Sequence, residues 1–570
     1  MNHTIAIYAA AVFLALLTAT AQATPTVTVI SPKPGLSSGS PIFYEAYATS
    51  SQCGKGIAAI RVYTAPYVAA ITVNGAHLEN FIALQPGSYS TVVQAWDNCG
   101  GVGKTALNII VTASPGVTVF LPSASSVAAP IHFAASAQNS ACAAGINAIR
   151  IYVAPHTSPY TVKSNQLNAY INLPPGSRTL TVQAWDKCGQ VFKTNLATTV
   201  TTSADANLYA VNLNDTAPTI YQFKVAADGT LKNPNGTGNL PEVAAGPGAD
   251  NLAVDPGGWF LYASTASGIY GFQINPVTGR LTLMPASPFP LNDKNNAVPP
   301  LIRVDPGGNF LFARYGGAEV GDGTTYRINR STGALTSTGY VIPTVWYTHT
   351  FDASGQYLYF INYGGIDAYR FNPNNGNMVP LMGSTFFFDS LNSMYLPSMA
   401  AEGSYLYIGG GGAGGGNGGG VWGFTIDYAT GTPTEVAGSP FVPASPSQLI
   451  VSVLPDTLAR FLWSLQSGQS SYGIEVFNVV SGGALNASTW FTNLMPYSLG
   501  DSTDDGPKFV FTSWVEDHSG KFVFTSYTGD TPHRGIASWP ISASGDLQTQ
   551  TVFLTANPIG AIAVARQNPR

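Results

Sequence analysis

Two repeat lengths divide the chain, and they constrain its fold more than any other feature. In the first part, the run from Cys53 to Tyr63 recurs from Cys142 to Tyr152. Leu84-Gln-Pro-Gly87 recurs as Leu173-Pro-Pro-Gly176, and Val93-Gln-Ala-Trp96-Asp97-Asn-Cys99-Gly100 as Val182-Gln-Ala-Trp185-Asp186-Lys-Cys188-Gly189. Each pair is offset by 89 residues, so this part is a tandem duplication. The opening strands, Val27–Ile30 and Val117–Phe120, are offset by 90, which places a one-residue slip in an early loop. In the second part a different unit recurs, a short strand carrying a bulky aromatic. It appears at Tyr209, Tyr262, Phe312, Tyr359, Tyr407, Trp463 and Phe524, with spacings of 53, 50, 47, 48, 56 and 61. A period near 50 built from short strands predicts propeller blades.

Each early copy is a series of short alternating strands, such as Ile60–Tyr63 and Ser90–Trp96, separated by Pro-Gly turns. Apolar residues fall on one face, which predicts a β-sandwich of immunoglobulin-like architecture over 24–113 and again over 116–202. Each Trp lies three residues before a Cys at the same strand end, unlike antibody domains. The pattern resembles the Ig-like modules of bacterial surface proteins. All four cysteines precede residue 190, two per copy, so the duplication predicts the bridges Cys53–Cys99 and Cys142–Cys188. The alternative, a tetrahedral zinc site, lacks the paired C-x-x-C spacing.

After a Thr-rich linker, Thr198–Asp205, the later repeat adds two further signals. Before most aromatic strands stands a D-x-x-G turn: Asp255–Gly258, Asp305–Gly308, Asp352–Gly355 and Asp517–Gly520. Asp at the first turn position binds the backbone and Gly closes the turn, so these aspartates read as turn formers. Behind each aromatic strand comes a second hairpin, such as Gly268–Ile274 running to Thr278-Gly279. Seven such pairs predict seven blades over 207–570. The first blade lacks an inner strand, and Ile559–Val564 has the pattern to supply it, which would leave no free sheet edge. The expected fold is therefore all-β: two tandem Ig-like sandwiches, then a seven-bladed β-propeller.

Together, D-P-x-G, L-Y-A, T-G-x-L-T and the S-P-F segments at Ser287–Phe289 and Ser439–Phe441 resemble the lactonase-family seven-bladed propeller. The likeness covers the C-terminal two thirds of the chain. It implies a propeller whose enzymatic relatives open phosphogluconolactone or handle muconate lactones. Those enzymes carry a histidine on an inner strand, commonly after Pro. Here Thr348 precedes His349.

Composition narrows the partners. Charged residues are only 9% of the chain, its net charge is −5, and no Lys/Arg cluster interrupts it, which argues against nucleic acid. Residues 1–23 read as a secretory signal peptide, with an apolar run from Ile5 to Leu17 and a small-x-small site at Ala21-Gln22-Ala23. No other stretch approaches a transmembrane helix. The expected location is secreted, cell-surface or periplasmic.

Lactone hydrolysis needs a general base for water and a donor for the developing oxyanion. The candidates are His349 and Arg303, both on inner strands. Counted from the following turn aspartate they occupy different strand faces. Asp250, Asn251 and Tyr347 are candidate binding residues near the channel mouth. His518 and His533 read as solvated. A phosphorylated substrate would want several converging cations, and the inner strands offer Arg303 and Lys508. Gly35-Leu-Ser-Ser-Gly39 lacks the helix of a nucleophile elbow, and the Gly-rich run 409–420 lacks the G-K-[ST] ending of a phosphate loop. Asp501-Ser-Thr-Asp504-Asp505-Gly506 has the wrong spacing for an EF-hand and reads as a turn. No metal and no cofactor are expected. The leading reading is an exported binding or scaffold protein, its propeller carried on Ig-like spacers, whose ligand is an extracellular glycan, neutral polymer or protein. The alternative is a secreted lactonase-like hydrolase acting at the channel mouth.

Overall fold

The computed structural model describes residues 24–153, 160–203, 205–213, 217–291, 299–315, 322–343, 348–362, 365–388, 394–412, 419–443, 449–467, 472–492, 510–528 and 534–566. Among these residues every regular element is a strand. Residues 1–23, Tyr347, Asp501–Gly506, Lys508 and His533 lie outside them.

Each early copy folds as a three-stranded sheet facing a five-stranded one. In the first copy Ile42–Thr49 lies between Thr26–Ser31 and His77–Ile82. The facing sheet runs Ser37–Gly39, Val102–Thr112, Gly87–Asp97, Ile57–Ala65, Val68–Asn74. The second copy repeats this order, with Ile131–Gln138 central in its smaller sheet. Period-two alternation sends Ile60, Val62, Val93 and Ala95 inward to meet Ile42, Phe43 and Leu78 from the opposite sheet. Cys53 is bridged to Cys99 and Cys142 to Cys188, with Cα separations of 5.8 and 5.9 Å. Beside each bridge a buried aspartate organises the turn: Asp97 accepts the N–H groups of Cys99 and Gly101, and Asp186 those of Cys188 and Gln190.

The remainder forms seven consecutive antiparallel meanders. Six are four-stranded, and in the first sheet Asp205–Asn212 pairs with the C-terminal strand Ile559–Arg566. Seven apolar clusters join the sheets in a closed circle. Leu261 packs with Tyr209, Leu311 with Tyr262, Phe360 with Phe312, and so on, until Leu208 of the first sheet meets Phe524 of the seventh. The repeated motifs explain this contact. The aromatic of one sheet donates its polar atom to a turn glycine of the next: Tyr209 Oη to Gly279 O, Tyr262 Oη to Gly333 O, Tyr359 Oη to Gly431 O, Tyr407 Oη to Gly483 O and Trp463 Nε1 to Gly545 O, at 2.7 to 3.2 Å. Those glycines need positive φ, and at Gly431 an added Cβ would also collide with the Tyr357 ring of the preceding sheet. The L-Y-A and T-G motifs are thus two halves of one inter-sheet staple.

The turn aspartates behave as their spacing predicts. Asp255, buried, accepts the N–H groups of Gly257, Trp259 and Phe260, and Asp305 those of Gly307, Asn309 and Phe310.

The linker differs from expectation. Thr198–Thr201 completes the strand Val191–Thr201, where Thr199 N–H bonds Ser125 O, because an alternating Thr/Val run extends the ladder more readily than it loops. The early copies do not stand away from the ring as free spacers. Both pack on the ends of the sheets where each first strand turns into its second and each third into its fourth. Tyr170 N–H bonds Gly307 O, Asn309 Nδ2 bonds Asn168 O, and Ser331 Oγ both receives the Glu79 N–H and donates to Glu79 O.

Candidate functional site

Two clusters of chemically capable side chains stand out, one on the inner strands of the ring and one beneath the sandwiches.

The first includes the residues the sequence singles out. Arg303 sits in the inner strand Leu301–Val304, where Ile302 points into the apolar packing and Arg303 stays accessible to solvent. Desolvation nevertheless lowers its pKa. A side chain that reaches water while ringed by protein has this combination, as in a narrow channel. His349 begins the next inner strand, His349–Phe351, and is 0% exposed. Phe312 meets its ring edge-on at 4.8 Å and Phe360 lies at 5.8 Å. Neither ring nitrogen makes a hydrogen bond among the described residues. Burial, then the charges of Arg303 and Arg314, push the His349 pKa well below its ordinary value. His349 is therefore a neutral, weak base sealed from solvent. Asp250 is exposed and accepts a bond from Asn251 Nδ2 at 3.2 Å. This cluster offers a donor, Arg303, and polar groups nearby. Its histidine is not a base poised over water.

Sequence reasoning missed the second cluster. Glu45 lies on Ile42–Thr49, and His77 and Glu79 on His77–Ile82, directly across the strand pair: Glu45 opposes Glu79 and Tyr47 opposes His77. The second copy contributes His132 and Asn168, and the ring contributes Arg330 and Trp259. Glu79 Oε1 accepts from Arg330 Nε at 2.9 Å and Asn168 Nδ2 at 2.6 Å. His132 Nδ1 is 3.3 Å from Glu45 Oε2, and its Nε2 is 3.6 Å from Glu79 Oε1. Trp259 stacks on His77 with centroids 3.8 Å apart, and Arg330 lies 4.6 Å over Tyr170. Burial alone would raise both carboxyl pKa values. Arg330 and His132 reverse this at Glu79, and His132 at Glu45, so both stay below the usual carboxylate range. For His132 burial works downward, but Glu45 and Glu79 push its pKa up to about 10. Two buried carboxylates thus face two largely enclosed cations, which makes the junction costly to leave half-paired.

One signal in the sequence did point here. At the 89-residue offset Glu79 aligns with Asn168, His77 with Gln166, Glu45 with Ala134 and Phe43 with His132. Titratable residues on one copy's core strands and none at the same places in the other mark a face under different demands.

No family model matches the chain, and no curated protein does. Among solved structures, a "putative 6-phosphogluconolactonase" from Bacteroides uniformis is similar at 14% identity and a TM-score of 0.45, over 64% of this chain and 100% of that one. TolB from Acinetobacter baumannii is similar at 10% identity and a TM-score of 0.33, over 69% and 80%. The fibronectin(III)-like modules of Clostridium thermocellum CbhA are similar at 16% identity and a TM-score of 0.14, over 31% and 93%. Likeness at this level carries no chemistry.

Proposed function

We propose that the chain is an exported binding protein. A signal peptide, 1–23, precedes Ig-like sandwiches over 24–113 and 116–202, which cap one face of a seven-bladed lactonase-like propeller over 207–570. The opposite face, where second strands lead into third and fourth into the next first, is the ligand face. Arg303 in the channel and Asp250 and Asn251 at the inner-strand start supply donors and acceptors for a neutral polymer, glycan or protein. Two disulfides fit an oxidising compartment. Among the described residues no helix is long and apolar enough to cross a membrane.

The observation that carries binding over hydrolysis is the state of His349. A general base must reach the proton it takes and hold a pKa near the working pH. His349 is fully buried between aromatic rings, and two guanidinium charges depress its basicity. The test sets a lactone panel beside a panel of immobilised neutral polysaccharides and secreted proteins, using the full chain and its Arg303→Ala and His349→Ala variants. The expected result is no ring opening above buffer, and retention on a polymer or protein that Arg303→Ala weakens. Lactone turnover abolished by His349→Ala would overturn the reading in favour of the hydrolase.

A further inference from the structure

The junction cluster contains an arrangement that hydrogen bonding leaves incomplete. One carboxylate is anchored by hydrogen bonds through one oxygen, and the other meets its partner only as an ion pair. Glu79 Oε1 is held by Arg330 and Asn168, and Glu45 Oε2 lies 3.3 Å from His132 Nδ1. The other oxygens, Glu79 Oε2 and Glu45 Oε1, turn toward His77 Nε2 at 3.7 and 3.9 Å. These separations are too long for hydrogen bonds. Glu79 Oε2 has one further long contact, 3.5 Å from Arg330 Nη2. His77 is 4% exposed, and neither of its nitrogens has a hydrogen-bond partner among the described residues. An imidazole buried without a partner, aimed between two carboxylate oxygens, costs free energy unless something completes the site.

A divalent first-row ion would complete it. Nitrogen and carboxylate ligands lie about 2.0–2.2 Å from zinc, which spaces neighbouring ligand atoms about 3.3–4 Å apart. Glu45, His77 and Glu79 each offer one ligand atom, and these atoms all lie within 4.8 Å of one another. An outer layer of the kind real sites need stands behind the ligands: Arg330 and Asn168 hold Glu79, His132 lies against Glu45 as an ion pair, and the Trp259 ring stacks on His77. A cavity of about 380 Å³ lined by Glu45, His132, Tyr170, Trp259 and Lys33 reaches one of the three ligands, Glu45, while His77 and Glu79 lie behind its wall. Among the described residues the two other groupings of ligand-type residues each contain a disulfide, whose sulfurs are not free to bind.

We propose that Glu45, His77 and Glu79 bind one divalent first-row metal ion, with Arg330, Asn168 and His132 orienting the ligands from the ring and the second copy. All three ligands belong to the first copy, and all the outer groups belong to its neighbours. Ion binding and docking of the first copy therefore reinforce each other.

The test uses the full chain, stripped with chelator and equilibrated with Zn²⁺, then assayed for bound metal by mass spectrometry and for affinity by calorimetry. One ion per chain is expected. His77→Gln, which installs the second copy's residue, and Glu45→Gln should each weaken affinity at least tenfold. His518→Gln should leave it unchanged. Near-ultraviolet circular dichroism checks that the variants keep their packing. Should a variant fail that check, Co²⁺ added to the unaltered protein decides, since a site of this kind gives d–d absorption without a thiolate charge-transfer band. No stoichiometric Zn²⁺ on the unaltered chain, no Co²⁺ absorption, or unchanged affinity in both folded glutamine variants would each overturn the proposal.

Discussion

The two sandwiches share a framework and differ at one sheet. In both, a disulfide ties the turn after the longest strand to the loop before its neighbour, and an aspartate caps that turn. In both, an arginine lies over a tryptophan and a tyrosine: Arg61 over Trp96 and Tyr63, Arg150 over Trp185 and Tyr152. The five-stranded sheets are near copies. The three-stranded sheets are not, because they meet different surroundings. The first copy places Glu45, His77 and Glu79 there, and the second places Ala134, Gln166 and Asn168. After duplication, residues that hold each sandwich together stayed fixed, and residues that face the ring diverged. Divergence at equivalent positions therefore locates the interface.

The shared framework predicts equal losses. Opening Cys53–Cys99 with Cys99→Ser, or Cys142–Cys188 with Cys188→Ser, removes a link across 46 residues in either case. The chain-entropy model gives about 4 kcal/mol for each. Denaturant unfolding of the two single variants should show matching decreases, and a loss confined to one copy would break the equivalence.

The divergent sheet predicts unequal ones. Glu79→Asn gives the first copy the second copy's residue and strips Arg330 and His132 of their shared carboxylate. Leaving buried charge uncompensated costs roughly 3 kcal/mol or more. At the equivalent position of the second copy, Asn168→Ala removes hydrogen bonds to Glu79 and His132 but leaves those two charges facing each other, and should cost less, about 2 kcal/mol. Limited proteolysis between the sandwiches and the ring, alongside denaturant midpoints, separates undocking from unfolding. Similar effects from the two substitutions would mean that the junction does not depend on the first copy's charges.

The framework and the interface also differ in how far the sequence discloses them. The staple between sheets is local chemistry repeated five times, so Tyr407 and Gly483 declare themselves as L-Y and turn-Gly motifs before any contact is known. The turn aspartates are legible for the same reason. The junction is not local. Glu79 and Arg330 lie 251 residues apart, and a lone Glu in an alternating strand looks like a solvent-facing residue. Comparing the two copies marks the face as divergent, but only docking shows which distant residues bury it. His349 is an intermediate case. Its strand can be read from the turn that follows, but the burial that weakens it as a base comes from Phe312 and Phe360 in adjacent strands and sheets.

The smallest effect tests the framework at its turn aspartates. Desolvation would raise the Asp97 carboxyl, but Ser50 and the Gly101 and Cys99 amides outweigh it and hold its pKa below the ordinary value. At Asp186 the Gln190 amide, Asn139 and the Cys188 amide do the same. A carboxyl whose folded pKa is depressed contributes stability above its unfolded pKa and loses it as pH falls through the folded value. Both copies should therefore lose stability on the acid side, below about pH 4. Asp97→Asn and Asp186→Asn should each flatten part of that limb in denaturant midpoints measured from about pH 5 to about pH 2, leaving neutral-pH stability only modestly lower. The copies differ here in one donor, the Ser50 hydroxyl against the Asn139 amide, at 2.8 and 2.6 Å. If the two limbs have different midpoints, Ser50→Asn should bring the first to the second. If it does not, the difference lies in the backbone of the turns, and the two frameworks are less alike than their shared residues imply.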